Sequence, residues 1–417
     1  SGDFVTVEAG TGFVHIAPGH GEDDFQLGKK HNLEIPKTVG PDGKFYETVP
    51  IFSGKHVYKV DSEIIELLKD CEKLKSVGKT THSYPHSWRS KAPLIFRITP
   101  QWFISLSKNN LRKRALDAVE KVLWFPKASK NRIKSMIEAR PDWCISRQRA
   151  WGVPIPIFVN KKTNELLLDK KVFSRIVKTI EKEGVDSWFL KDPSHLLSPE
   201  YNPEDYEFEK NILDVWFDSG CTHSFVLEGR KDLKSPASLY LEGSDQHRGW
   251  FHSSLLESVG TRDQAPYQAV LTHGFVLDAK GRKMSKSLGN VISPQDIIEK
   301  YGADVLRLWV SLSDYTEDLR IGNETMQQLS DSYRRIRNTF RFLLGNLEGF
   351  EKKEKIEFSK MPKLEKWILH KIYEMNDYFL DCLKNYELYK FYNLLHNFCA
   401  VELSSFYFDI RKDALYC

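Results

Sequence analysis

The 417-residue chain is too long for one ordinary hydrophobic core, so two to four folded units are predicted. Hydrophobic residues make up 41% of it and aromatic residues 12%, which is typical of a globular protein with large cores. Its 61 Lys and Arg residues only slightly outnumber its 57 Asp and Glu residues, so any nucleic-acid-binding surface must be a local patch. Residues 105–134, with nine basic and two acidic side chains, are the candidate patch, and a solvated helix face is the alternative.

The six cysteines are widely spaced and form no C-x-x-C pair, so neither a zinc knuckle nor a disulfide framework is predicted. This favours a reducing compartment, the cytoplasm first, with an organellar matrix as the alternative. No segment approaches the ~18 consecutive apolar residues of a membrane span, so no membrane contact is expected. The sequence opens without Met in a strand-like alternation and stops inside a helical pattern. We therefore expect a fragment of a longer protein.

The first part of the chain, residues 1–82, mixes short β-type runs with Gly and Pro turns and one helical pattern at 61–74. This mixture predicts a compact α+β unit. The β-type runs are FVTVEA (4–9), GFVHIA (12–17) and KFYETVPIF (44–52).

The middle of the chain begins with an aromatic and Pro-rich segment that ends in a predicted buried strand, IFRIT (95–99). Residues 110–140 have a helical, basic pattern, and the polar interval near 159–210 predicts a surface insertion with a helix near 170–184. Strand signals return at ILDVWF (212–217), SLYLEG (238–243) and APYQAVLTHGFVLD (265–278), with a helix from Trp250 to Val259 between the last two.

This alternation of strands and helices predicts a parallel, doubly wound sheet, in which ligands bind at the carboxyl ends of the strands. From 323 onward apolar residues recur at i, i+3, i+4 and i+7, which predicts a helical bundle. The predicted domains are therefore 1–82, 83–322 and 323–417.

The string GRKMSKSLGN (281–290) places Lys283 and Lys286 on a small, Gly-flanked loop. Their ammonium groups could fold onto a triphosphate and stabilise the charge that develops as pyrophosphate leaves. Two lysines at i and i+3 are common and usually solvated. The full string between a strand and a helix is far more specific.

The segment LYLEGSDQHRGWF (239–251) carries acidic, amide and Trp side chains at a predicted strand end. Glu242 and Asp245 suit an α-amino group or ribose hydroxyls, and Gln246 can donate to and accept from an aminoacyl group. Trp250 can wall an apolar pocket, and a strand–turn–helix junction with a capping Asp is the alternative. In DVWFDSG (214–220), Trp216 is expected to face a pocket while Asp214 and Asp218 fix the turn, and a core Trp is the alternative.

The string GRKMSKSLGN matches the KMSKS signature of the class I aminoacyl-tRNA synthetases. Together with LEGSDQHRGWF, DVWFDSG and DWCISRQRAWGVPIP (142–156), it closely resembles the isoleucyl branch of that family. The resemblance implies ATP with Mg²⁺ as co-substrate, isoleucine and tRNA(Ile) as partners, a Rossmann-type sheet, a monomer, and no tightly bound cofactor or zinc in this segment.

The resemblance also implies roles for individual residues. Trp216 and Trp250 would line the isoleucine side-chain pocket. The aminoacyl-adenylate would be held by Glu242, Gly243, Asp245 and Gln246. The nucleotide would be bound by Lys283, Met284, Ser285, Lys286 and Ser287, with His273 and Gly274 beside it; Lys283 and Lys286 would be the catalytic pair.

The N-terminal string HIAPGH (15–20) is distinct from the HIGH motif of these enzymes, and His15 with His20 lacks a clear third metal ligand. The segment GTGFVHIAPGHGEDDF (10–25) instead resembles the C-terminal part of their CP1-type editing domain, which hydrolyses mischarged valine. Asp24 would anchor the amino group of the mischarged residue and His15 would shape its pocket. A turn with a capping Asp is the alternative.

The resemblance extends over essentially the whole chain, but the HIGH half of the nucleotide fold and the Thr-rich half of the editing site are not in it. We therefore expect this chain to be inactive by itself and catalytic as part of a longer enzyme. Two alternatives stay open: a valyl-type enzyme, and a non-catalytic pseudo-synthetase fragment that binds tRNA.

Overall fold

The computed structural model describes residues 2, 4, 5, 8, 11–87 and 90–416. It divides into two compact units, residues 1–101 and 102–417. The boundary between compact units thus lies about twenty residues beyond the predicted 82/83 domain boundary. The assignment of 1–82, 83–322 and 323–417 to functional domains stays a prediction.

The helices are numbered in chain order. They are α1 (Glu22–Lys30), α2 (Asp61–Asp70), α3 (Leu111–Lys121), α4 (Ser129–Glu138), α5 (Lys170–Glu183), α6 (Ser187–Leu190), α7 (Val215–Gly220), α8 (Trp250–Arg262), α9 (Pro294–Tyr301), α10 (Ala303–Leu312), α11 (Asn323–Gly345), α12 (Lys363–Lys384), α13 (Leu388–Asn397) and α14 (Phe408–Tyr416). Two further segments, His223–Glu228 and Phe398–Tyr407, have wider π-type turns.

The strands are short. They are β1 (Phe103–Ile104), β2 (Leu123–Phe125), β3 (Trp143–Cys144), β4 (Ser146–Arg147), β5 (Phe158–Asn160), β6 (Tyr206–Phe208), β7 (Ile212–Leu213), β8 (Tyr240–Gly243), β9 (Ala269–His273), β10 (Val276–Leu277) and β11 (Leu319–Arg320).

The β-type runs of the first unit do not form strands in its described part, and Thr6, Val7 and Ala9 of the first run lie outside the described residues. Alternation favours a strand only where a neighbouring strand satisfies the backbone N–H and C=O groups. Here single bridges and turns satisfy them, as where the Gly40 N–H donates to the Lys44 carbonyl over 2.8 Å. The described part of this unit therefore contains helices without a sheet, which corrects the α+β prediction for it.

Two other predictions for the first unit are corrected in part. The helix predicted at 61–74 is real but ends at Asp70, because Glu72 adopts a left-handed backbone with φ of 54°. The run 95–99 is not a strand. Just before it, the Leu94 carbonyl accepts from the Tyr58 and Tyr84 hydroxyls at 2.6 and 2.8 Å, so side chains rather than a ladder satisfy this backbone.

The second unit is built on a three-stranded parallel sheet in the order β2–β9–β8. The register pairs Tyr240 with Val270 and Gly243 with His273 across β8 and β9. Helix α8 connects these two strands, as a parallel crossover requires. The core beside the sheet packs side chains of α3, α4 and α8 against the strands; its fully buried members include Ala115, Val119, Ile133, Ile137, Phe251, Leu255 and Val270. The parallel sheet predicted for this region is confirmed.

Two sequence predictions for the second unit were wrong in detail. The helical pattern at 110–140 is two helices separated by β2, because Val122–Phe125 is an apolar and aromatic run that pairs with β9. The strand predicted at 212–217 stops at Leu213, because the Asp214 carboxylate accepts from the Trp216 backbone N–H over 2.8 Å and begins α7.

The remaining parts of this unit have small cores of their own. The antiparallel pair β5–β6 packs with α5 and α6 around Phe158, Ile176 and Trp188. This agrees with the helix predicted near 170–184. The segment from Asn323 onward is helical as predicted, with a core around Ile368, Phe398 and Phe408. Over the described ranges, none of the helices is both long enough and apolar enough to cross a membrane.

Candidate functional site

The candidate site lies at the carboxyl ends of the parallel strands. Register places Glu242 opposite Thr272 and Gly243 opposite His273, so the polar residues after β8 and after β9 meet at one edge of the sheet. A groove of about 400 Å³ opens at this edge. Its lining comes from the ends of β2, β8 and β9 and from neighbouring segments, and includes Arg132, Ser244, Thr272, His273, Gly274 and Asp318.

The turn after β8 is held by Gln246. Its Oε1 accepts from the Trp250 backbone N–H over 2.9 Å, and its Nε2 donates to Asp245 Oδ2, also over 2.9 Å. An unpaired N–H at the start of α8 is thereby satisfied. The alternative of an Asp cap at this junction is wrong, because the capping side chain is Gln246. Asp245 lies beside Gly243, where an added Cβ would be 2.8 Å from Asp245 Oδ1.

The half-buried Trp250 ring is fixed at the start of α8. It stacks on Tyr240 with centroids 3.9 Å apart and an interplanar angle of 8°. Its Nε1 donates to the Ser219 carbonyl at 3.0 Å and to Thr222 Oγ1 at 3.1 Å. These contacts tie α8 to the end of α7 and leave little freedom for the ring.

The Trp216 ring packs closely against Gly249, a residue that was not predicted from the sequence. The Trp216 side chain is 42% exposed, and an added Cβ on Gly249 would lie 2.7 Å from its Cζ3 atom. Only a residue without a side chain leaves room for the ring there. Trp216 and Gly249 therefore lie together next to Gln246, at the start of the helix that carries Trp250, and the pocket role of the two tryptophans stays a prediction.

The backbone of α7 is anchored beneath this wall by Asp214. Its buried carboxylate caps the helix and forms an ion pair with Arg147 of β4. Partial burial and the Asp214 carboxylate raise the pKa of Asp218, the other acid expected to fix the turn. Asp214 thus performs the predicted role, supported by Arg147, which the sequence did not single out.

The end of β9 is covered by a neighbouring segment of backbone. The Gly274 N–H donates to the Tyr315 carbonyl over 2.9 Å, and a Cβ on Gly274 would lie 2.3 Å from the Glu317 carbonyl oxygen. The His273 ring Nδ1–H donates to the Gly274 carbonyl over 2.8 Å. A glycine is required at 274 because no side chain fits beneath residues 315–318.

The loop GRKMSKSLGN is anchored at its base by Asp278. Asp278 Oδ1 accepts from the Arg282 backbone N–H over 2.8 Å, and Oδ2 accepts from Asn290 Nδ2 over 3.0 Å. Asn290 Oδ1 in turn accepts from the Ser285 N–H over 2.9 Å. Hydrogen bonds from Asn290 and from Arg282 hold the pKa of the Asp278 carboxyl below its ordinary value. Neither Asp278 nor Asn290 was predicted, because the hydrogen bond between their side chains joins the two ends of the loop.

Within this loop Met284 packs against the core of α9 to α11, and the Ser285 side chain accepts from the Leu288 N–H. Lys283 and Lys286 are exposed, and neither forms an ion pair with any described residue. The Lys283 ammonium lies 6.0 Å from the Phe275 ring centroid. The structure therefore presents both cations to solvent on an anchored loop, and neither lysine lines the groove at the strand ends.

The two residues predicted for editing lie in the first unit. Asp24, in the first turn of α1, is half-buried, and its Oδ2 accepts from the Ala17 N–H over 3.0 Å. His15 is exposed. His20 contacts the Phe96 carbonyl at 2.9 Å and Thr38 Oγ1 at 2.7 Å. Across the described residues, no group of three or more His, Cys, Asp or Glu side chains could hold a metal ion.

Two family models match this chain. A family model described as tRNA synthetases class I (I, L, M and V) matches residues 27–322, which is more than half of the chain. The chain belongs to the class I tRNA synthetases. A second model, the anticodon-binding domain of tRNA ligase, matches residues 365–417 of this synthetase chain, within the helical bundle.

Curated relatives of this class I synthetase chain are isoleucine–tRNA ligases. It is 58% identical to that of Pelagibacter ubique over 99% of the chain and 46% of the relative, and 52% identical to that of Gluconobacter oxydans over 100% of the chain and 44% of the relative. The chain thus spans about half the length of the curated relatives it matches. The resemblance to the isoleucyl branch is confirmed.

Solved structures agree with the fold of the class I synthetase chain. It superimposes on Mycobacterium tuberculosis methionyl-tRNA synthetase in complex with methionyl-adenylate with a TM-score of 0.53 at 15% identity, over 80% of this chain and 57% of that chain. A second structure of the same synthetase gives a TM-score of 0.51 at 16% identity. A Rossmann-like catalytic fold with a parallel sheet is thereby supported.

Proposed function

We propose that this chain is the part of an isoleucine–tRNA ligase that holds the isoleucyl-adenylate and carries the KMSKS loop. One observation carries the proposal: Trp216 lies against Gly249 and Gln246 at the start of the helix that carries Trp250, beside Asp245 and at the carboxyl ends of parallel strands. This combination of apolar and acidic side chains would suit an amino acid that has a branched apolar side chain and an ammonium group. The 58% identity to an isoleucine–tRNA ligase supports isoleucine as that amino acid.

In the proposed first step, a carboxylate oxygen of isoleucine attacks the α-phosphorus of ATP. The bond from the α-phosphorus to the bridging oxygen breaks, and pyrophosphate leaves with the electron pair. Lys283 and Lys286 stabilise the negative charge that develops on the leaving group, since both are exposed on an anchored loop and neither forms an ion pair with a described residue. The loop closes toward the strand ends when ATP binds, with Asp278 and Asn290 as its fixed base.

Glu242 and Asp245 place negative charge where the isoleucine ammonium group would bind. The groove beside His273 and Gly274 takes the nucleotide. ATP brings Mg²⁺ as a co-substrate on its phosphates.

We infer that the first unit contributes to hydrolytic editing of valine attached to tRNA(Ile). An apolar pocket gains only about 1–3 kcal/mol from one methylene, too little to exclude valine; isoleucine against valine is itself the standard example of that limit. Asp24 is a half-buried carboxylate on α1 and could anchor the ammonium group of the mischarged valine. His15 is exposed and available to shape the pocket.

The proposed macromolecular partner is tRNA(Ile). The helical bundle would bind it through residues 365–417, the region that matches the anticodon-binding model. We place the enzyme in the cytoplasm as a monomer. Residues 1–417 alone are proposed to be inactive, because they span about half of the length of the relatives.

Aminoacylation of transcripts tests the proposal. The full-length enzyme is expected to attach labelled isoleucine to tRNA(Ile) and not to a tRNA(Val) transcript of matched purity. Attachment of valine to tRNA(Val) would favour the valyl-type alternative. Tight binding of tRNA(Ile) without attachment of any amino acid would favour a non-catalytic tRNA-binding protein.

A further inference from the structure

One face of α8 presses three side chains against the end of α7. Trp250, Ser254 and Glu257 are spaced at i, i+4 and i+7 and so lie on the same side of the helix. The Trp250 indole N–H donates to the Ser219 carbonyl at 3.0 Å, and Ser254 Oγ donates to the Gly220 carbonyl at 2.9 Å. The two helices that carry the pocket tryptophans are therefore joined along this face.

Glu257 is the third member of the face and is the one that the proposed chemistry does not use. Its side chain is 8% exposed, and its carboxyl lies so close to Gly220 that an added Cβ there would be 2.3 Å from Oε1. Within the described part of the chain, neither carboxyl oxygen has a hydrogen-bond donor of good geometry. A charged carboxylate in such a place is costly, so the group is expected to be held neutral.

The surroundings of this carboxyl favour the neutral form. Burial is the main cause that raises the pKa of Glu257 to about 8, and the Asp218 carboxylate adds to it. A hydrogen bond from the Cys221 thiol acts in the opposite direction and is larger than the Asp218 contribution. Glu257 also lines a second groove, of about 520 Å³, which is distinct from the one at the strand ends. Other titratable or charged side chains from the elements packed around it line this groove too; these are Lys108, Arg114, His223 and Arg262.

We propose that Glu257 is a positioning residue for the amino-acid pocket: its carboxyl, enclosed between α8 and Gly220, sets the spacing of the two helices that carry Trp216 and Trp250. This rests on the proposed function of those tryptophans. Loss of the proton leaves a buried charge with only the weak Cys221 S–H donor beside it, which draws in water and separates α7 from α8. The pocket wall then loosens, and isoleucine binds less tightly while the chemistry at the phosphates is unchanged.

The test compares the full-length wild type with Glu257→Gln, which keeps the shape and cannot ionise. In ATP–pyrophosphate exchange, the wild-type KM for isoleucine is expected to rise about tenfold relative to Glu257→Gln by one pH unit above the pKa, with kcat little changed. The isoleucine ammonium group also titrates in this range, and the comparison with Glu257→Gln at each pH corrects for it. Glu299→Gln, an exposed Glu of α9, is the matched control and should follow the wild type.

A second measurement does not depend on the amino acid. Hydrogen exchange of the 214–228 peptide, at pH 9 and without substrates, should be faster in the wild type than in Glu257→Gln and equal in the two proteins at pH 6.5. Equal exchange at both pH values overturns the positioning role, whatever the kinetics show. Faster exchange in a wild type that fails to activate isoleucine would support the positioning role and refute the proposed function instead.

Discussion

Substitution of Gly249 by Ala perturbs the candidate pocket at one carbon atom. The new Cβ would lie 2.5 Å from Gln246 Oε1 and 2.7 Å from Trp216 Cζ3, both well inside van der Waals contact. Gln246 Oε1 cannot withdraw freely, because it accepts from the Trp250 backbone N–H at 2.9 Å. The change must therefore break this hydrogen bond, displace the Trp216 ring, or do both.

The magnitude follows from these contacts. An unpaired, partly buried N–H at the start of α8 costs about 1–3 kcal/mol, so the free energy of unfolding should fall by that amount. Displacement of the Trp216 ring would remove contacts with the isoleucine side chain equivalent to about one or two methylene groups. The free energy of isoleucine binding should therefore weaken by about 1–3 kcal/mol. At 1.4 kcal/mol per factor of ten, the KM for isoleucine should rise roughly 5- to 100-fold while the KM for ATP stays within about twofold.

The assay is ATP–pyrophosphate exchange with isoleucine varied, together with urea unfolding followed by circular dichroism, both on the full-length enzyme. Gly260→Ala is the matched control: it lies in α8, the helix that Gly249 precedes, is exposed, and its Cβ would meet only Leu111 Cδ1 at 3.8 Å. It should leave the KM unchanged and stabilise the helix by up to about 1 kcal/mol. A Gly249→Ala enzyme that matches Gly260→Ala in both measurements would refute the close packing described here.

Two further predictions concern the loop and the first unit. Lys286→Ala should slow adenylate formation by roughly 10²–10³-fold with little effect on isoleucine binding, because the lysine acts on the developing charge; Lys280→Ala, an exposed neighbour, is the control, and equal losses in rate and binding would point to a structural role. Asp24→Ala should leave charging with isoleucine intact and let Val-tRNA(Ile) accumulate; Asp23→Ala is its control, and clearance of Val-tRNA(Ile) at the normal rate would contradict the editing role.

The part of the fold that the sequence predicted best is the pair β8 and β9. Their apolar runs end in small and polar residues, and the intervening helical pattern starts at Trp250, so a parallel crossover was the simplest solution. Strand β2 was missed because the basic, helical pattern on both sides of Leu123–Phe125 concealed three residues whose strand character depends on pairing with β9. In the first unit, alternation was present without a partner strand among the described residues, and propensity alone does not form a sheet.

The candidate site residues were predicted from the chemistry of their side chains, whereas the residues that the sequence did not single out contribute through geometry. Glu242, Asp245 and the two tryptophans have functional groups that a ligand needs. Gly249 matters only because the Trp216 ring approaches its backbone, and no spacing in the sequence reveals that contact. Asp278 likewise matters through hydrogen bonds that close a loop twelve residues away at Asn290. Such roles depend on tertiary contacts and become visible only in the structure.

We propose that this chain forms the isoleucine side of an adenylate-forming site, a role that amino-acid-dependent ATP–pyrophosphate exchange measures. With the full-length enzyme at pH 7.5 and equal concentrations of isoleucine, valine and methionine, exchange should depend on isoleucine and be absent with methionine. The kcat/KM for isoleucine should exceed that for valine by roughly 100-fold, the standard example of such discrimination and not a value worked out from this structure. Exchange that is equal for isoleucine and valine, or that is absent with isoleucine, would contradict the account.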